Sequence, residues 1–94
     1  MVTQGQINSE IDLAKRIYLY YFDKFADLSS IGSDKYMKWY KDLCSIYFIV
    51  EAMLAVYILD DKLYIGDTEI DEDYWRLMTL DIREYLTYDI REVV

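Results

Sequence analysis

The 94-residue chain has no proline and no histidine, one cysteine (Cys44), three glycines, and three side-chain amides in all (Gln4, Gln6, Asn8). Without histidine it lacks the usual general base, the nucleophile–imidazole pairs of hydrolases and imidazole metal sites. With one cysteine it can form no internal disulfide, which excludes a disulfide-stapled secreted scaffold. Cys44 lies in an apolar run, where a thiol is harder to ionise and so inert. Gly5, Gly32 and Gly66 are too scattered for a phosphate-cradling loop. The opening residues lack the basic start and apolar run of a signal peptide. A scarcity of amides with an abundance of charge also occurs in proteins from hot environments. These absences lead us to expect a non-enzymatic, cytoplasmic protein that needs no cofactor and no metal.

Cations are scarce too: ten Lys/Arg stand against eighteen Asp/Glu, a net charge of -8. The imbalance is local. Residues 1–41 carry six basic and five acidic side chains, and residues 42–94 carry four and thirteen. Between Asp60 and Asp73, seven carboxylates (Asp60, Asp61, Asp67, Glu69, Asp71, Glu72, Asp73) face one cation, Lys62. Such a surface repels nucleic acid and membrane headgroups and attracts basic protein surfaces. Lys35, Lys38 and Lys41 form a short cationic stripe, read as the solvated side of a helix.

What the chain has in plenty is apolar surface. Hydrophobic residues make up 54% of it, and eleven residues are tyrosines, so it can fold despite its size. At 94 residues it is read as one domain with a modest core. The periodicity predicts an all-α fold, a small bundle of three main helices over about 10–28, 34–59 and 72–92, with a short extended segment near 62–66 as an option.

Ser9 with Asp12 can cap the first helix, and Thr3 with Gln6 offers an earlier start. Its apolar stripe takes in Ile11, Ala14, Tyr18, Tyr21, Phe25 and Leu28, widened by Ile17 and Phe22. Ser29 to Ser33 reads as a turn. The second helix begins amphipathic, with Tyr36, Trp39, Tyr40, Leu43 and Tyr47 on one face. From Ile46 to Leu59 its one charge is Glu51. A helix apolar all round must be buried all round. Ile49, Ala52 and Val56 therefore read as a seam covered by a second copy or by a partner, and a homodimer is expected. The run Leu43–Leu59 is at the short limit for a membrane span, and Glu51 at its centre opposes one, so no membrane association is expected. The third helix starts after Asp71, with Glu72 and Asp73 in its first turn, where carboxylates suit the helix dipole. Its apolar face runs from Tyr74 and Trp75 through Met78, Ile82 and Tyr85 to Val93.

Two further features bear on a possible site. Asp61 to Glu72 is twelve residues long, with Gly66 at the sixth position of a calcium-loop register. Leu63 and Ile65 stand where that loop needs side-chain oxygens, so the acidic loop is read without a metal. Glu51 falls on the edge of the core face, where Tyr47, one turn earlier, can offer it a phenol hydrogen bond.

The sequence therefore points to a protein-binding module that docks its carboxylates on a basic partner surface, with no direct nucleic-acid binding of its own. In size and composition alone it resembles the small acidic inhibitors that viruses make against host defences, anti-CRISPR proteins and DNA mimics among them. That likeness implies an inhibitor acting inside a host cell, its carboxylates imitating a row of phosphates. The competing expectation is a homodimeric helical protein of structural, regulatory or bacteriocin-immunity type, whose acidity serves only solubility.

Overall fold

In the computed structural model, which describes residues 1–27 and 33–86, the first helix, α1, spans Gln4–Asp27. It takes the earlier of its two candidate starts. The Thr3 hydroxyl accepts from the Gln6 backbone N–H at 3.2 Å, and the Gln6 side chain accepts from the Thr3 N–H at 2.8 Å. This reciprocal box satisfies donors that a helix start otherwise leaves open. Ile7, Ala14, Ile17 and Tyr21 follow at helical spacing and are buried.

α2 covers Ser33–Leu54 and buries Leu43, Ile46, Val50 and Met53 against α1. It ends five residues earlier than the periodicity suggested, and the all-α expectation fails there. Val56–Leu59 forms a strand, β1, followed by β2 (Lys62–Ile65) and β3 (Thr68–Ile70) in a three-stranded antiparallel sheet of order β1-β2-β3. The extended segment near 62–66 is thus the middle strand of a sheet. A run such as Val-Tyr-Ile-Leu is apolar enough for either element, and its β-branched and aromatic residues suit a pleated surface.

The turns decide between the two. Asp60 and Asp61 link β1 to β2 with φ of 52° and 64°, the pattern of a type I′ hairpin, and aspartate is among the few side chains that tolerate this region. Gly66, at φ 57°, and Asp67 link β2 to β3. The Gly66 N–H donates to the Ala55 carbonyl at 3.3 Å and closes the sheet against the end of α2.

α3 spans Glu72–Arg83. Asp71 caps it, its carboxylate accepting from the Tyr74 N–H at 2.8 Å. The helix stops well short of 92: residues 84–85 form a turn, and Tyr85 and Leu86 donate to the carbonyls of Ile82 and Arg83. The expected turn at Ser29–Ser33 and the expected helix beyond Leu86 lie outside the described residues, apart from Ser33 itself, which opens α2.

The core joins all the elements. Trp75, Met78 and Ile82 of α3 meet the α1 and α2 stripes, and Val56 and Leu63 close it from the sheet. Tyr21 ties α1 to the end of α3. Its ring packs edge-on to Tyr85 at 5.9 Å, and its hydroxyl donates to the Tyr85 carbonyl at 2.9 Å. Burial, reinforced by Asp42, Tyr85 and Tyr20, pushes the Tyr21 phenol up from 10.0 to about 12.

This packing corrects the seam. Val56 is not on α2 at all; it lies in β1, 6% exposed, covered by the chain's own core. Ile49 and Ala52 are half-buried and pack against that core. The line that seemed to need external cover is broken where the helix ends.

Candidate functional site

The register sets the composition of the two sheet faces. Directly paired residues share a face, so Val56, Ile58, Leu63, Ile65 and Ile70 point to the core side. Tyr57, Leu59, Lys62, Tyr64 and Glu69 occupy the outer side. There the Tyr57 and Tyr64 rings stack at 5.4 Å with an interplanar angle of 16°. The Tyr57 hydroxyl donates to the Gly66 carbonyl at 2.6 Å, holding one ring in place. Tyr64 stands opposite Glu69 in register, and Lys62 reaches Glu69 at 3.9 Å. The result is a small aromatic platform with a carboxylate beside it.

All seven expected carboxylates are exposed, and the fold spreads them around this sheet. Asp60 and Asp61 form the turn at one end of β2, and Asp67 lies in the turn at the other. Because β2 is four residues long, the two turns stand roughly 13 Å apart. Glu69 projects between them on the outer face. The three remaining carboxylates have local structural roles. Asp71 is the helix cap. Glu72 accepts from the Val2 N–H at 3.0 Å and pairs with the Met1 amine at 3.6 Å. Asp73 binds Arg76 at 2.9 Å. The carboxylates therefore border a sheet, with Asp60, Asp61, Asp67 and Glu69 nearest its aromatic side. A shallow cleft of about 260 Å³ lies beside them, between Met1, Val2, Asp61, Lys62 and Glu72.

No protein-family model, no curated protein and no solved structure matches this chain. The site must be read from its own chemistry.

Other sequence-level candidates fall elsewhere. Leu63 and Ile65, which broke the calcium-loop pattern, are strand residues in β2, and the described residues hold no group of three or more acidic or cysteine side chains placed to share a metal ion. Glu51 is exposed, not on the edge of a core pocket. Its expected contact with Tyr47 is present: the charge of Glu51, and then a hydrogen bond to it, raise the Tyr47 phenol above its ordinary pKa. Lys38 and Lys41 are solvent-exposed. No helix among the described residues is long and apolar enough to cross a membrane.

Tyr57, Leu59 and Tyr64 were missed as surface residues because the first two had been assigned to a helix. The signal was there, in two two-residue spacers, Asp60-Asp61 and Gly66-Asp67, flanking a short run with β character.

Proposed function

We propose that this chain is a small protein-binding module that docks the acidic outer face of its sheet on an arginine-rich surface of a partner protein, acting as an inhibitor or modulator. The observation that carries this reading is the stacked Tyr57–Tyr64 pair set beside Glu69 and bordered by Asp60, Asp61 and Asp67. A guanidinium is planar and weakly hydrated. It can lie on a tyrosine face while its N–H groups pair with a carboxylate. A lysine ammonium can also lie over a ring, as Lys24 does over Tyr20 at 5.4 Å. It is a compact, strongly hydrated point charge, however, without the planar fork that stacks and pairs at once. Concentrated negative charge also speeds the encounter with a basic partner and selects against acidic ones. Protein surfaces that otherwise hold nucleic acid offer the matching chemistry.

Calorimetric titration with an arginine-rich peptide and its lysine counterpart tests this. The arginine peptide is expected to bind more tightly, and added salt should weaken both complexes. Changing Asp60, Asp61 and Asp67 to Asn together with Glu69→Gln should raise the arginine-peptide Kd at least about tenfold. Equal affinity of the neutralised protein would sink the proposal. Lys62→Gln, which frees Glu69 of its present partner, should instead tighten binding.

A further inference from the structure

A broad uncovered apolar surface lies away from the acidic sheet, on the outer side of the α1/α2 pair. Phe22, Tyr18, Tyr47 and Phe48 form a continuous chain of rings across the two helices, with successive centroids 6.1–6.2 Å apart. Phe48 is 72% exposed, Leu19 57%, and Phe22, Met37, Tyr40 and Tyr47 are each a little under half exposed. Between the helices runs a trough of about 220 Å³, floored by Tyr18, Leu43 and Cys44. We propose that a second copy of this chain docks on this face.

Area and charge both favour that occupant. With aromatic side chains presenting about 200 Å² each, the six exposed residues offer roughly 600 Å² per copy, close to the ~800 Å² that each partner contributes to a standard interface. Charges of both signs border this face, the exposed Lys41, one turn after Met37, among them. Lys15, one turn before Leu19, and Glu51, which contacts Tyr47, are of opposite sign.

The acidic residues sit at one end of a molecule 50 Å long, where Glu72 holds the start of α1 and β1 follows α2. Stacking two copies with their helices antiparallel puts these acidic ends far apart. Two chains of charge -8 can then pair through the region where charge is nearly balanced. The seam thus moves from Ile49, Ala52 and Val56 to the outward side of α2, around Tyr47 and Phe48.

Sedimentation equilibrium of the full chain at micromolar concentration, in 0.15 and 1 M NaCl, tests the proposal without any partner, so its failure is distinct from failure of the arginine-binding reading. A dimer is expected at both salt concentrations, because buried apolar area is not screened. Phe48→Asp should weaken the dimer at least tenfold, with an unchanged far-ultraviolet spectrum. Leu77→Asp, on the exposed side of α3, should leave it intact. A monomer throughout would overturn the proposal. So would a dimer indifferent to Phe48→Asp, one broken equally by Leu77→Asp, or a monomer that binds lipid vesicles.

Discussion

The outer face of the sheet and the outer face of the α1/α2 pair both leave tyrosines and leucines in water, yet they are built for different encounters. On the sheet, Tyr57, Leu59 and Tyr64 are ringed by carboxylates, and the apolar area is small. On the helices, Leu19, Phe22, Tyr47 and Phe48 form a broader surface bordered by charges of both signs. Apolar burial draws its strength from area and is indifferent to salt; charge pairing at an exposed rim is screened within a few ångströms at high ionic strength. The same residue type therefore has different consequences at the two places. A tyrosine beside carboxylates selects a cation, whereas a tyrosine beside a phenylalanine selects another apolar face.

Several measurements can break or sharpen that contrast. The largest effect is expected where the two regions share one core. Trp75, 5% exposed, belongs to the core that α3 shares with the helix pair, and Trp75→Ala should cost about 3–5 kcal/mol in urea unfolding. If the sheet and the helices then melt separately, the two surfaces belong to independently stable units and the comparison must be redrawn. Next comes salt. Raising NaCl from 0.05 to 0.5 M should weaken the arginine-peptide complex by about tenfold while changing the self-association constant by less than about twofold. Equal sensitivity at both faces would show that charge governs both.

A smaller effect separates structural from binding carboxylates. Asp71→Ala removes the α3 cap and should destabilise the protein by about 1 kcal/mol while leaving peptide affinity alone. Asp61→Gly should do the reverse. Glycine relieves a left-handed backbone at φ 64°, so stability should rise by a few tenths to about 1 kcal/mol while peptide affinity falls. An Asp61→Gly protein that binds the peptide as well as wild type would remove the β1–β2 turn from the proposed site.

The subtlest test is pH. The Tyr21 phenol is raised from 10.0 to about 12, so between those values the unfolded chain loses its proton more readily than the folded one. The stabilisation from neutral Tyr21 is complete below pH 10 and is lost as pH rises through about 12. Wild type should therefore lose stability faster than Tyr21→Phe across this window, as followed by chemical denaturation. Parallel curves would mean that burial of the Tyr21 phenol contributes little to the pH dependence.

Much of α1 and α3 was legible before any fold was known, because caps are local. Asp71 before Glu72 announces the α3 start through a hydrogen bond within a few residues of chain. At α1 two such local signals compete, and the start expected at about 10 lies six residues after the observed one at Gln4. Tyr21, Leu43, Trp75, Met78 and Ile82 were recognisable as core from their spacing. Phe22, Tyr40 and Tyr47 were assigned to the same stripes yet stand outside, because the angular width of a stripe depends on what packs against it. The sheet was harder. Nothing between Ile46 and Leu59 marks the end of α2, and apolar runs satisfy helix and strand alike; the aspartate turn that settles the matter comes only afterwards.

By itself, then, the sequence determined the charge partition, the absence of histidine and disulfide chemistry, two of the helix starts and most of the buried line, since each depends on composition or short-range spacing. Only the tertiary structure decided which tyrosines are buried, which carboxylates are occupied and which apolar face is left in water. Those depend on strand register and on where neighbouring elements pack, and contacts such as Glu72 with Val2 or Tyr21 with Tyr85 join residues more than sixty positions apart.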